Sequence, residues 1–333
     1  MARVPTMVDV ARRAGVGLKT VSRYVNGEQN IAPDLAARIA AAIADLGYRR
    51  NIAAASIRPG WTSKVLGLVV ADLANPFFFA LAALIEAAAR DRGYLVIAAS
   101  SDDDDATEEV IVERLIGQRV DGLLLVPARV SGLDWGELRP PVPPAVVLDR
   151  PLGDAALDTI LADNYGGAFQ ATTALLASEP RRIGFLSDQL TMFTMRERHR
   201  GFMDAVAVPG RTGGHVPDVH VSLGARTITQ AVDGALELLQ QHAVDAILAA
   251  NNRSAMGALR AFQQVGRRVP LIGVDDFEAA PLLTPPVSVV SQDVDRMATI
   301  AVERLVARID GADLPVETIT VPTTLTLRGS ERI

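Results

Sequence analysis

The sequence predicts two kinds of folding unit in one chain: a small all-α head built on a helix-turn-helix, and an α/β body of two parallel-sheet lobes. Three observations carry this reading. At 333 residues the chain exceeds one typical domain. Its apolar residues follow helical spacing through the first fifty positions, then gather from Val65 onward into short runs separated by amphipathic helices. Its charge is divided: residues 1–60 hold nine Lys and Arg against four Asp and Glu, a net of +5, and the overall charge of −6 leaves −11 for the remainder. A basic head on an acidic body is the distribution expected when one module meets nucleic acid and the other does not.

In the head, Thr6 with Asp9 three residues on reads as an N-cap with an acid in the first turn. Val8, Val10, Ala11 and Ala14 give this first helix its apolar face, and Gly15 stops it in a left-handed or tight turn. A second short helix begins near Gly17 or Leu18 and runs to Val25. Val21 and Val25 face inward, which leaves Lys19, Thr20, Ser22, Arg23 and Asn26 on the remaining face. Pro33 suits the first position of a third helix, whose stripe of Ile39, Ala42, Ile43 and Leu46 ends at Gly47. Helix, short Gly-containing turn, helix is the arrangement whose second helix enters the major groove. Lys19 can donate to guanine O6 and N7, Thr20, Ser22 and Asn26 can reach bases or phosphates, and Arg23 can do either. Residues 51–58 are Ala-rich but too short to be stably helical alone, and Pro59-Gly60 then breaks the chain.

In the body, strand-like runs fall at 66–70, 95–99, 122–126, 145–149 and 159–163, then at 182–186, 219–223, 246–250, 271–275 and 287–291. Continuous apolar runs separated by helices mark parallel sheets covered on both faces. There are too many for one small sheet, so two lobes with a cleft between them are expected. Ligands of open parallel sheets bind beyond the C-terminal ends of strands. That rule selects the helix start at Asn75-Pro76 with Phe77 and Phe78, then Asp149-Arg150, Arg198, Asn251-Asn252-Arg253, Asp275-Asp276 and Gln292-Asp293. Planar Asn, Asp and Arg side chains make paired bonds to vicinal hydroxyls, and an aromatic face covers the apolar side of a sugar ring. A sugar-like small molecule is the expected ligand, with a nucleobase as the alternative. Phe77 and Phe78 could equally be core, Asp149 a helix cap, and Arg198 with Asp275 a salt bridge across the lobes. The four acids at 102–105 read as a solvated loop opening the next helix rather than a metal cluster.

Taken together, Val8-Asp9-Val10-Ala11, Ala14-Gly15-Val16, Thr20-Val21-Ser22-Arg23, Val25-Asn26-Gly27, and Leu46-Gly47-Tyr48 with Asn51 resemble the LacI/GalR family of bacterial repressors, and the resemblance continues along essentially the whole chain. It implies a periplasmic-binding-protein-like body whose lobes are joined by crossings near Asp163, Ser291–Gln292 and Val321–Thr323, with a helix at about 293–309 returning to the first lobe. The expected units are then a head at 1–50, a hinge at 51–61, a first lobe at 62–162 with 292–321, and a second at 163–291 with 322–333. The resemblance implies that Leu18 and Lys19 read the operator and that Ile57 stands where a leucine of the hinge wedges into the minor groove. Gly17 replaces the usual Ser and forgoes a side-chain cap. The DNA-facing set is Thr6, Gly17, Leu18, Lys19, Thr20, Ser22, Arg23, Asn26 and Ile57. Arg198, in an Arg-x-x-Gly-Phe pattern, Asp275, in Gly-x-Asp-Asp, and Asn251 match effector-binding positions. With Phe77, Phe78, Asp149 and Gln292 they form the predicted effector set. Asn252 stands in place of the usual Asp and Arg253 adds a positive charge, which implies an effector richer in acceptors.

The expected function is that of a DNA-binding transcriptional regulator, in most such proteins a repressor. Two subunits would pair and meet a near-palindromic duplex operator, and a small-molecule effector would shift the lobes and the hinge. An enzyme is not expected: there is no Cys, no Gly-x-Ser-x-Gly, HExxH or P-loop pattern, and the four His lack metal-ligand spacing. No cofactor is expected either. A secreted solute receptor would share the body but not the basic head. No secretion signal and no run long enough to span a bilayer is visible, so a soluble cytoplasmic protein without a membrane partner is expected. The final residues LRGSERI hold no heptads, which favours a homodimer over a coiled-coil tetramer.

Overall fold

The computed structural model describes residues 5–25, 28, 30–49, 62–129, 133–209 and 215–332, and these fall into two compact units divided after Ser63. In the first unit, α1 (Met7–Ala14) opens with a complete capping box: the Thr6 hydroxyl accepts from the Asp9 amide, and the Asp9 carboxylate accepts from the Thr6 amide. Gly15 closes α1 at φ +64°, a left-handed backbone that favours glycine. Helices α2 (Leu18–Val25) and α3 (Pro33–Leu46) complete the bundle around Val10, Ala14, Val21, Ile39 and Ala42. One expectation needs correction. Val8 is 49% exposed, because the buried stripe of α1 runs through positions 10, 11 and 14 and position 8 lies off it.

The body alternates strand and helix: β1 (Val65–Val70), α4 (Pro76–Asp91), β2 (Leu95–Ser100), α5 (Asp105–Gly117), β3 (Gly122–Leu125), β4 (Ala145–Leu148) and β5 (Asp158–Ala162). It continues with α6 (Asn164–Leu176), β6 (Arg182–Leu186), α7 (Phe193–Ala207), β7 (Asp218–Ser222), α8 (Ile228–Leu236), β8 (Ala246–Ala249), α9 (Asn252–Val265), β9 (Leu271–Val274) and β10 (Ser288–Gln292). Last come α10 (Val294–Ile309), β11 (Thr318–Val321) and β12 (Thr323–Thr326). Two six-stranded sheets result, β11-β5-β4-β3-β1-β2 and β12-β10-β9-β8-β6-β7. The second repeats the order of the first, strand for strand.

The chain passes between sheets after β5, after β10 and between β11 and β12, and α10 packs back on the first sheet with Met297, Ala301, Val302 and Leu305 in its core. Among the described residues, sheet pairing is parallel with one exception. β12 runs antiparallel to β10, with Val290 opposite Leu325, because it follows β11 after a single residue and must leave in the opposite sense. A second correction concerns β2. Its apolar run reads as covered on both faces, yet Leu95 is 63% and Ile97 36% exposed, because β2 is an edge strand. β7, the corresponding edge of the second sheet, exposes Val221, and Leu223 just beyond it is exposed too.

Candidate ligand cleft and nucleic-acid interface

The two sheets present their C-terminal strand ends to one narrow cleft with about 50 Å³ of free space. Three strand ends of the first sheet and five of the second contribute. From the first lobe come Asp72 after β1, Asp103 after β2, and Asp149 with Arg150 after β4, together with Asn75, Phe77 and Phe78 at the start of α4. From the second come Asp188 after β6, Arg226 after β7, Asn251 and Arg253 after β8, Asp275 after β9 and Gln292 at the end of β10, with Thr194, Met195 and Arg198 from α7. All seven residues of the predicted effector set, Phe77, Phe78, Asp149, Arg198, Asn251, Asp275 and Gln292, line this one space.

The second-lobe wall is organised by Arg198, a guanidinium only 2% exposed. Its Nε donates to Asn164 Oδ1 (2.7 Å), and its terminal nitrogens donate to Ala250 O (2.6 Å) and to both oxygens of Asp275 (3.1 and 3.2 Å). Gln292 Nε2 donates to Asp275 as well (2.6 Å), while Gln292 Oε1 is buried without a partner. Arg198 and Asp275 therefore do form a salt bridge, but within the second lobe rather than across the two: β9 is a strand of the second sheet and α7 packs on that sheet. Gly201 of the Arg-x-x-Gly-Phe pattern is fixed by packing. A Cβ there would stand 2.3 Å from the Tyr165 carbonyl of α6.

Arg150 organises the other wall. It is 3% exposed and donates to Asp103 (2.6 Å), to the carbonyls of Pro127 and Ala128 (3.1 Å each) and to Asp149 (3.3 Å). Burial pushes the Asp149 carboxyl above its ordinary range, further than the nearby Arg150 and Arg198 charges pull it down. Asp149 and Asp275 hold equivalent places after the fourth strand of each lobe, both in left-handed backbone (φ +64° and +66°), an unusual conformation for a non-glycine residue. Phe77 and Phe78 are buried and meet edge to face, with centroids 5.0 Å apart.

Several sequence readings change. Arg253 is not a spare positive charge: it pairs with Asp72 of the first lobe. Asn252 is 3% exposed and donates to Asn75 Oδ1 (2.9 Å). The inference of an effector richer in acceptors thereby loses its basis. The run of four acids is not simply a solvated loop. Asp104 caps α5 by accepting from the Thr107 amide (2.8 Å), Asp103 holds Arg150, and Asp102 accepts from Arg226. Among the described residues, no group of His, Asp and Glu is arranged to hold a metal ion. Asp72, Asp103, Asp188 and Arg226 were missed as lining residues. All four follow the C-terminal end of a strand, β1, β2, β6 or β7; at β1 the rule selects Asn75, Phe77 and Phe78 and passes over Asp72 beside them.

On the head, α2 turns Val21 inward and leaves Leu18 49% exposed and Lys19 exposed beside it, with Thr20 and Ser22 half-buried. Gly17 lies at the start of α2, where its carbonyl accepts from the Thr20 and Val21 amides. Arg23 is tethered rather than extended: Nε donates to Glu28 (2.6 Å) and a terminal nitrogen to Asn30 O (3.1 Å). The Thr6 hydroxyl is engaged in the capping box. Asn26 and Ile57, and with Ile57 the whole hinge at 51–61, lie outside the described residues. No described helix is long and apolar enough to cross a membrane.

Comparison with known proteins covers both units. Residues 6–51 match the family model for bacterial regulatory proteins of the lacI family, and residues 63–281 match the model for periplasmic binding proteins and the sugar binding domain of the LacI family. The transcriptional regulator PtxS of Pseudomonas plecoglossicida is 32% identical over 98% of this chain and 96% of its own. The ribose operon repressor of Escherichia coli K12 is 29% identical over 98% and 99%. A solved complex of the transcriptional regulator CelR with cellobiose superimposes with a TM-score of 0.67 at 29% identity, covering 98% of this chain and 99% of that one.

Proposed function

Because this chain belongs to the LacI family of bacterial regulatory proteins, we propose that it is a transcriptional repressor whose hold on an operator is set by a small sugar-like molecule bound between its lobes. The observation that carries the reading is the convergence of strand-end side chains from both lobes on one cleft, in a chain that also exposes Leu18 and Lys19 on the second helix of a helix-turn-helix. Phe77, Phe78, Asp149, Arg198, Asn251, Asp275 and Gln292 are assigned to the effector. Thr6, Gly17, Leu18, Lys19, Thr20, Ser22, Arg23 and Asn26 are assigned to the operator, and Ile57 to the hinge. The protein acts by binding rather than by catalysis, in the cytoplasm, where the DNA is.

The chemistry of the cleft favours a neutral polyol. Five carboxylates and four guanidiniums line it, so the charges nearly cancel and no excess of cations awaits an acidic ligand. The orphaned Gln292 Oε1 seeks a donor, which a hydroxyl supplies. A ribose operon repressor and a regulator seen with cellobiose among the relatives support the same class. A nucleobase fits less well, because Phe77 and Phe78 meet edge to face and do not make a flat slot. The chain works as a homodimer in this reading. Leu95 and Ile97 on the edge of one sheet, with Val221 and Leu223 at the edge of the other, are an apolar surface for a second copy.

Reciprocal substitution tests the assignment. Lys19→Ala should weaken operator binding about 5- to 150-fold, the worth of about 1–3 kcal/mol of base contact, and leave sugar binding intact. Asp275→Asn, which keeps the volume and a partner for Arg198, should abolish the effector response and leave effector-free operator binding intact. An Asp275→Asn protein that still answered the effector normally would remove Asp275, and with it the cleft, from the effector site.

A further inference from the structure

The space between the lobes is spanned by the protein's own side chains. Arg253 donates to the carboxylate of Asp72, Asn252 Nδ2 to Asn75 Oδ1 (2.9 Å), and Arg226 to the carbonyl of Asp102. In each pair the acceptor belongs to the first lobe and the donor to the second. We propose that these contacts form a latch that holds the two lobes in one orientation with no ligand between them. Its consequence, that an effector must part Asp72 from Arg253 to enter, rests on reading the cleft as the effector site.

Both halves of the latch are held in place locally. Asp72 Oδ1 accepts from the Ala74 amide (2.8 Å), and Asn75 caps α4 by accepting from the Phe77 amide (3.1 Å), so the acceptors stand fixed at the strand end. On the other side, Asn252 and Arg253 begin α9, and Arg253 also donates to Arg226 O (3.2 Å), which links two of the three donors. The side chains of Arg253 and Asp72 are 27% and 26% exposed, sheltered enough for the pair to outweigh an open surface pair. Burial pushes the Asp72 carboxyl up, but the Arg253 hydrogen bond, the Ala74 amide and the charges of Arg253 and Arg226 outweigh it and keep it ionised. Asn252 Oδ1 is buried without a partner in this arrangement, a cost that works against it.

The chain has no cysteine, so two introduced ones report alone. Spin labels on Glu109→Cys of α5 and Gln263→Cys of α9, both exposed positions in different lobes, give the interlobe distance in the full-length protein without DNA or effector. Dilution with unlabelled protein restricts the signal to pairs within one chain. The latch predicts a single narrow distribution. Asp72→Lys or Arg253→Glu should raise the open, longer-distance population about fivefold or more, and Asn252→Ala, which changes no charge, should do so more weakly. Exchanging the charges, Asp72→Arg with Arg253→Asp, should restore the narrow distribution. A broad distribution in the parent protein, no change in the single reversals, or a swapped pair no better than either reversal would each overturn the proposal. None of these outcomes depends on an operator or effector, so the regulator reading stands or falls separately.

Discussion

Replacing Glu108 by Gln should change how the stability of the body depends on pH. Glu108 lies in the first turn of α5 with no solvent exposure. Its Oε2 accepts from the Ala128 amide (2.6 Å), and its Oε1 has no partner. Burial pushes its carboxyl up to about 7, and Asp105 and Asp103 add to the rise, while the Ala128 amide and Arg150 oppose it. In the unfolded chain the same group titrates near 4.5. Below that pH both states hold the proton. Between 4.5 and 7 the folded state keeps it and the unfolded state does not, so folding weakens as pH rises. The interval is about 2.5 units at about 1.36 kcal/mol each, or about 3 kcal/mol. Glu108→Gln is neutral at every pH and lacks this loss. Its amide must still find an acceptor where Oε1 has none, a roughly constant cost of about 1–3 kcal/mol. The difference in unfolding free energy between variant and parent should therefore move by about 3 kcal/mol in favour of the variant from pH 4.5 to pH 8. Urea unfolding followed by far-ultraviolet circular dichroism measures it. Parallel curves for the two proteins across that range would refute the reasoning.

Asp158, fully buried between α10 and β11, titrates in a separate window. Burial raises its carboxyl, but the hydrogen bonds from Arg308, Arg304 and the Glu317 amide outweigh it and bring it down to about 2. The stabilisation is thus present above pH 3.8 and lost as pH falls toward 2. Asp158→Ala should cost about 3 kcal/mol in urea unfolding at pH 7, since it takes from Arg304 and Arg308 the buried carboxylate they share and leaves them only Glu317 and the Pro315 carbonyl, and the cost should shrink below pH 3.8. In the head, a Cβ at Gly17 would meet nothing nearer than Thr20 Oγ1 at 3.9 Å. Gly17→Ser should therefore stabilise the head by a few tenths of a kcal/mol through the cap that α2 lacks, seen as a rise in its melting temperature.

The sequence shows most clearly what depends on local pattern. Thr6 with Asp9, Gly15, Pro33 and Gly47 mark the ends of the head helices, because a cap or a left-handed turn needs those residue types there. Strands β1 to β10 stand out as apolar runs. β11 (TITV) and β12 (TTLT) do not, since their Thr-rich sequences resemble a linker until paired. Exposure at β2 is also hidden, because the run LVIAAS is equally apolar at a sheet centre or an edge, and only the strand order decides. The same limit governs the cleft. The strand-end rule gathers Asp149, Asn251, Asp275 and Gln292, but which guanidinium takes which carboxylate is a matter of contacts up to 181 residues apart, as between Arg253 and Asp72. Such partners leave no trace in local spacing, so Arg253 read as a free charge.

Operator selection tests the central claim most directly. Purified full-length protein is incubated with random duplex DNA, the bound fraction is sequenced through successive rounds, and the selection is repeated at higher salt. A dimer carrying one exposed reading helix per subunit predicts enrichment of a single near-palindromic site, with half-sites spaced for adjacent major grooves and retained as salt rises. Binding that appears only at low salt, with no sequence enriched, would contradict the account.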